Sequence, residues 1–179
     1  MRDGYLFRSD RLGFRGWTME DLDDFARINA DLEVMEHFPR PLTRQETAEF
    51  IVRLQNHQAE HGHCYFATEL LQTGELIGFI GPAHQTYPAP FTPATDVGWR
   101  LKRTAWGKGY ATEGAKRCLA FAFEHLKLER VVAVCTVDNH KSENVMKKLG
   151  MTKMGEFKNP RLSNYPDLER CVWYQIESS

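Results

Sequence analysis

Apolar residues recur three or four positions apart in four segments of the chain, and this period predicts four helices. Two of the segments open with the capping-box pattern, since Thr18 precedes Asp21 and Thr43 precedes Glu46 by three positions. Gly62 closes the second segment, as glycine commonly does at a helix end. The predicted helices are 18–29, 43–62, 110–126 and 138–150.

Runs rich in β-branched and aromatic residues predict seven strands between and after these helices. A Thr73-Gly74 turn predicts a hairpin, and the four prolines between Pro82 and Thr95 predict a loop. The element order, β-α-α-β-β-β-α-β-α-β-β, predicts an α/β (α+β) fold in which helices flank a central mixed sheet, as one domain over 1–179. The predicted strands are 11–17, 64–70, 75–81, 96–101, 130–137, one after 151, and 170–176.

Composition narrows the function classes. The 179 residues are 42% hydrophobic and 26% charged with a net charge of −1, so no overall field favours nucleic acid or a membrane surface. The N-terminal residues lack the apolar run of a signal peptide, and the longest apolar run, 131–137, is too short to span a bilayer. The cysteines lie far apart among apolar neighbours, which predicts reduced, buried thiols in a cytoplasmic protein. They are Cys64, Cys118, Cys135 and Cys171.

The stretch WGKGYATEG, from Trp106 to Gly114, joins glycines directly to a predicted helix start. The first N–H groups of a helix have no intrahelical partner and carry its positive dipole end. Glycines there let backbone amides approach an anion such as phosphate. The spacing matches neither a nucleotide P-loop nor a dinucleotide fingerprint. A turn that glycine serves only for chain geometry is the alternative.

The strand, glycine turn, helix and strand that precede DNHKSENVMKKLGM resemble the GNAT superfamily of acyl-CoA-dependent N-acyltransferases. WGKGYA fits the family's signature Q/R-x-x-G-x-G/A, with Trp106 in place of Gln or Arg. Together, GWRLKRTAWGKGYATEG and DNHKSENVMKKLGM are similar to the RimJ/RimL-type branch, whose members acetylate ribosomal-protein N-termini or other amines. The resemblance covers nearly the whole chain. It implies acetyl-CoA as co-substrate, an amine-bearing acceptor and no metal.

The resemblance also implies a set of binding residues. Two parallel strands, those of Trp99 and Val134, would splay into a V, so that the backbone from Trp99 to Leu101 bonds the pantetheine arm and the thioester carbonyl. A backbone N–H near Leu101 would meet the oxyanion. Asn139 would bond the pantetheine amide. The amides of the glycine turn would hold the pyrophosphate, and the cofactor-binding set there is Trp106, Gly107, Lys108, Gly109, Tyr110, Ala111 and Thr112.

The implied chemistry is direct attack of a neutral amine on the thioester, with Ser142 near the departing thiol. Many relatives use a tyrosine four residues further on, where this chain has Met146. Asp96 is the candidate base that takes the amine proton, and the alternative is that it ends the proline loop and faces solvent. Glu113 is interpreted as a partner of the helix dipole. A nucleophilic role for Cys135 is disfavoured by its apolar strand.

Acceptor specificity is assigned to three loops, HFPR, the proline loop with Tyr87 and Phe91, and NPRLSNYPDL. His57, His61 and His63 are interpreted as a solvated helix end, since no fourth zinc ligand is evident. Two other functions are left open: a GNAT-like module that senses acyl-CoA without turnover, and transfer of another acyl group such as succinyl. We expect no nucleic-acid or membrane partner, and a homodimer is left open.

Overall fold

A computed structural model describes residues 4–178, which form one mixed sheet flanked by helices. The sheet order is β1-β2-β3-β4-β5-β6-β8-β7, in which only β5 and β6 pair in parallel across the described residues. The strands are β1 Phe7–Arg8, β2 Leu12–Arg15, β3 Phe66–Leu70, β4 Leu76–Gln85, β5 Ala94–Leu101, β6 Arg130–Thr136, β7 Thr152–Lys158 and β8 Arg170–Glu177. The helices are α1 Leu22–Ala30, α2 Arg44–His61, α3 Tyr110–Glu124 and α4 His140–Lys148.

The four predicted helices and the seven predicted strands occur in the predicted order, and both capping boxes are confirmed. Thr43 and Glu46 cap α2 reciprocally, and Gly62 ends this helix with a left-handed φ of 75°. Thr18 and Asp21 form the other box, which starts a 3₁₀ turn that runs into α1. The chain therefore marks its helix starts locally, before any tertiary contact is made.

Two predicted boundaries are wrong. The loop predicted from Pro82 to Thr95 is shorter in the structure, because β4 extends to Gln85 and β5 begins at Ala94. The two strands continue their antiparallel register through these residues, with Pro82 opposite Val97. A strand of two residues, β1, was also missed, since such a segment is too short to show an alternating pattern.

The core packs on both faces of the sheet. Ile80 of β4 lies opposite Trp99 of β5. The Ile80 carbonyl contacts the Cys118 thiol of α3, and α3 packs on the face of the sheet to which Ile80 points. Phe79 points to the other face, where its ring packs edge-on against Phe25 of α1 at 6.2 Å. The four cysteines are free and buried, as predicted. Among residues 4–178, no helix combines the length and apolar composition needed to cross a bilayer.

Candidate active site

A cavity of about 660 Å³ lies where β5 and β6 separate. Within the described residues, these two strands have one registered pair, Asp96 opposite Val132. Beyond that point Trp99 and Leu101 on β5 and Val134 on β6 line the cavity. Strands that diverge leave backbone N–H and C=O groups without a neighbouring strand, and such groups can bond an extended ligand.

The glycine turn forms one end of this cavity. Gly107 and Gly109 have φ values of 72° and 81°, which favour glycine, and Gly109 is the N-cap of α3. Within the described residues, no hydrogen bond is formed by the N–H of Gly107 or by the four N–H groups from Gly109 to Thr112, whereas the N–H of Glu113 bonds the Gly109 carbonyl at 2.9 Å. Five free donors therefore lie at the positive end of the helix dipole.

Two cationic side chains lie around the turn, of which Arg11 is paired with Glu113 and Lys141 adds positive charge. The guanidinium of Arg11 lies 4.5 Å from the ring centroid of Tyr110, and Lys141 Nζ lies 4.5 Å from the ring of Trp106. Glu113 accepts from Ser9 Oγ at 2.7 Å and from Arg11 Nε at 2.6 Å. Burial would raise the pKa of Glu113, but these hydrogen bonds lower it. Glu113 thus joins α3 to the turn between β1 and β2, a role that goes beyond the predicted dipole contact.

Trp106 and Asn139 hold the two sides of the cavity in place. The indole Nε1 of Trp106 donates to the carbonyl of Leu101 at 2.8 Å, which fixes the turn against the end of β5. The side chain of Asn139 accepts from the N–H of Ser142 at 3.1 Å and so caps α4. The Ser142 hydroxyl, which lines the cavity, has no partner in the described part of the chain. Met146 is 1% exposed, one turn further along α4.

Asp96 lies within β5 and lines the cavity, so the alternative in which it ends a solvent-facing loop is not what the structure shows. Its carboxylate accepts from the Tyr65 hydroxyl at 2.7 and 2.9 Å and from Gln85 Nε2 at 3.3 Å. Burial raises the pKa of Asp96 to about 6, although the bonds from Tyr65 and Gln85 and the charge of Arg161 oppose the rise. A carboxyl group with such a pKa can exchange protons near neutral pH.

The predicted site residues gather around this cavity, with one exception. All of them line it except Lys108, which is exposed between the two glycines. Tyr65 and Gln85 were missed, because their contact with Asp96 depends on the register of β3, β4 and β5, which the sequence does not reveal. Cys135 also lines the cavity, and burial raises the pKa of its thiol to about 12, which keeps it protonated.

Two of the three predicted acceptor loops reach the cavity, through His37 and Phe38 on one loop and Asn159 and Arg161 on another. The prediction for Phe91 is wrong. Its ring is 2% exposed and packs 5.0 Å from the ring centroid of Trp173, inside the apolar interior. Phe91 therefore serves the core, whereas the ring of Tyr87 in the same loop lies 4.2 Å from the guanidinium of Arg161, which lines the cavity.

The three histidines are not a solvated helix end, since His63 is only 6% exposed. His57 lies 4.5 Å from His61 and 5.7 Å from His63 between ring centroids, and its Nε2 accepts from the backbone N–H of His84 at 3.0 Å. Among the residues that the structure describes, no three His, Cys, Asp or Glu side chains are grouped so that they could hold a metal ion.

A diverging parallel strand pair and an amide-lined glycine turn together offer an open strand edge for an extended ligand and a helix end for its anionic group. The family model for the acetyltransferase (GNAT) domain matches residues 11–152, and the chain belongs to this family. It is an acyl-CoA-dependent N-acetyltransferase. Domains of this family bind acetyl-CoA and act on amine acceptors.

Individual relatives agree with this assignment. The uncharacterized N-acetyltransferase YnaD of Bacillus subtilis is 28% identical over 149 residues, which cover 83% of each chain. A GNAT-family acetyltransferase of Bacillus anthracis superposes with a TM-score of 0.78 at 26% identity, over 95% of this chain and 96% of that one. RimJ of Mycobacterium smegmatis, solved in complex with CoA-disulfide, shares the fold with a TM-score of 0.72 at 20% identity, over 93% and 82%.

Proposed function

We propose that this enzyme transfers the acetyl group of acetyl-CoA directly to a primary amine, on a protein N-terminus or a small molecule. The observation that carries the proposal is one cavity that joins the unpaired N–H donors of Gly107 and of Gly109 to Thr112 at one end to the Asp96 carboxylate further in. The donors suit a pyrophosphate, and the carboxylate suits an amine that must lose a proton.

In the proposed reaction the amine nitrogen attacks the thioester carbonyl carbon, a C–N bond forms and the C–S bond breaks. Asp96 takes a proton from the amine, directly or through water. The Ser142 hydroxyl donates a hydrogen bond to the departing sulfur, which leaves as a thiolate and takes its proton from water. A backbone N–H near Leu101 stabilises the oxyanion. The high pKa of Cys135 supports a reaction without a covalent acyl-enzyme.

Each part of acetyl-CoA is assigned to a separate group of residues. The backbone from Gly107 to Thr112 holds the pyrophosphate, and the strand edge from Trp99 to Leu101 and the cap Asn139 hold the pantetheine. Lys141, which stacks on Trp106, adds a cation on the phosphate side. The Ser142 position favours the RimJ/RimL-type branch.

The test is release of the CoA thiol from acetyl-CoA in the presence of N-terminal peptides, polyamines, aminoglycosides and amino acids, each supplied separately. We expect release that depends on one class of amine. Binding of acetyl-CoA without release for any amine would contradict the proposal and favour a module that senses acyl-CoA. Release from succinyl-CoA but not from acetyl-CoA would change the transferred group.

A further inference from the structure

Arg100 is a cavity-lining cation that the proposed reaction leaves unused. It is 9% exposed, near the end of β5. Its guanidinium lies among three aromatic rings, with centroids at 4.1 Å for Phe38, 5.7 Å for Phe50 and 5.4 Å for Phe79. Aromatic faces stabilise a cation and hold its plane in one orientation.

The hydrogen-bonding capacity of this guanidinium is only partly used. Nη1 donates to Asn29 Oδ1 at 2.7 Å, while Nε is buried without any acceptor. Burial lowers the pKa of Arg100 to about 10, so the side chain is still charged at neutral pH. No carboxylate of the described residues forms an ion pair with it, and a buried charge without a counter-ion is costly to the fold.

The acidic residues that line the cavity have other partners. Glu33 forms an ion pair with Arg103 at the surface, and Asp96 accepts from Tyr65. Glu36 is mostly exposed, 3.8 Å from the ring of His37. A counter-ion for the Arg100 guanidinium would therefore be supplied by a molecule bound in the cavity.

The face on which Arg100 lies separates it from the proposed phosphate end. Side chains alternate across a strand, so Asp96 and Arg100 share one face of β5 while Trp99 points to the other. Trp99 is opposite Ile80 on the α3 face, whereas Arg100 is opposite Phe79 on the face of α1 and α2. The amine acceptor approaches Asp96 on this same face of β5. An anion bound at Arg100 would thus be part of the acceptor.

We propose that Arg100 is a carboxylate-binding subsite, and that the acceptor is a small amine that carries a carboxylate. This inference rests on the proposed function, because it describes the acceptor of the same site. Asp96 and Arg100 are four positions apart along the strand, a Cα distance of about 13 Å. An extended dipeptide spans about 7 Å, so both side chains, which project from the same face of β5, have to lean toward each other for its amine and its carboxylate to contact them.

The test compares acceptors that differ only in this charge, namely dialanine with dialanine amide and lysine with lysinamide. In the wild-type enzyme we expect kcat/KM for the acid to exceed that for the amide by about ten-fold or more, as for a charged hydrogen bond. In Arg100→Gln the acid-to-amide ratio should fall to near one, and Arg100→Lys should keep part of it. The ratio is taken within each variant, so a general loss of folded protein cancels.

Arg103→Gln is the matched control, because Arg103 lies three positions from Arg100 and carries the same charge but is exposed and paired with Glu33. The control should keep the acid-to-amide ratio. A ratio near one in the wild-type enzyme, or a ratio that survives in Arg100→Gln, would overturn the proposal while leaving acetyl transfer intact.

A second readout does not depend on turnover. Dialanine, but not its amide, should raise the melting temperature of the wild-type protein with CoA present, and should not do so for Arg100→Gln. If no amine is acetylated but this shift appears, the proposed function fails and the carboxylate subsite stands. Equal shifts for acid and amide would overturn the subsite.

Discussion

Asp96 is the residue proposed to act as the base of the cavity. Its pKa is raised to about 6, and a base must be ionised, so turnover should be lost as the pH falls through this value. We expect Asp96→Asn to lower kcat by about a hundred-fold or more and to remove that loss. The free-amine fraction rises with pH for both proteins, so the measurement is the ratio of their pH–rate profiles. Equal profiles would show that another group takes the proton.

Ser142 presents a free hydroxyl beside the cap of α4, and its N–H is already bonded to Asn139. If the hydroxyl assists the departing thiol, Ser142→Ala should lower kcat by about ten-fold and leave the Kd of acetyl-CoA unchanged. The two constants are measured by steady-state kinetics and by titration calorimetry. A variant with full kcat would exclude the hydroxyl from the reaction.

Some residues of the site are marked by a local sequence motif, and others are identified only by contacts between distant segments. Gly107, Gly109 and Asn139 could be predicted because local motifs carry them, and so could the contrast between Ser142 and Met146. Tyr65 and Arg100 could not, since their surroundings are assembled from strands and loops far apart in sequence. A lone tyrosine or arginine in a strand has no pattern that marks it as part of a site.

The first turn of α3 is the element proposed to bind the phosphates. Thr112 lies there and lines the cavity, so Thr112→Glu places a negative charge beside the free N–H groups. We expect the Kd of acetyl-CoA to rise by about ten-fold or more, because the carboxylate competes for the donors and repels phosphate. An acidic residue is favourable at this helix end, so the melting temperature should not fall.

Thr112→Gln is the control for this element, because glutamine has nearly the same shape as glutamate but no charge. Its affinity for acetyl-CoA should stay near the wild-type value, as measured by titration calorimetry for all three proteins. Equal affinities for the Glu and Gln variants would place the phosphates elsewhere.

The end of α2 and the neighbouring part of β4 form a histidine corner whose stability should depend on pH. Burial, followed by the charges of His61, His63 and His84, lowers the pKa of His57 from 6.5 to about 4. The unfolded chain then binds the proton more tightly, so stability is complete above pH 6.5 and falls as the pH drops toward 4. Urea unfolding at about pH 7 and about pH 5 measures the difference.

His57→Gln tests the cause of this dependence. A glutamine oxygen can still accept the N–H of His84, but it cannot be protonated in this range. We expect a smaller loss of unfolding free energy between the two pH values than in the wild-type protein. An unchanged loss would assign the dependence to other groups.

At the scale of the whole molecule, the order of helices and strands could be read from the periods of the sequence, but the arrangement of the sheet could not. β8 lies between β6 and β7, and the opening between β5 and β6 follows a single registered pair, Asp96 with Val132. Such pairings are set by packing between distant segments. The resemblance to a family therefore supplied the V-shaped splay, which no local pattern indicates.

In the proposed function the acetyl group passes directly from acetyl-CoA to an amine within this one cavity. Intact mass spectrometry of the protein and the acceptor, sampled together during turnover, tests that claim most directly. We predict that the acceptor gains one acetyl group while the protein never carries one. An acetylated protein that forms before the product, on Cys135 or elsewhere, would contradict direct transfer, and an acceptor panel that stays unmodified would contradict the proposed enzyme.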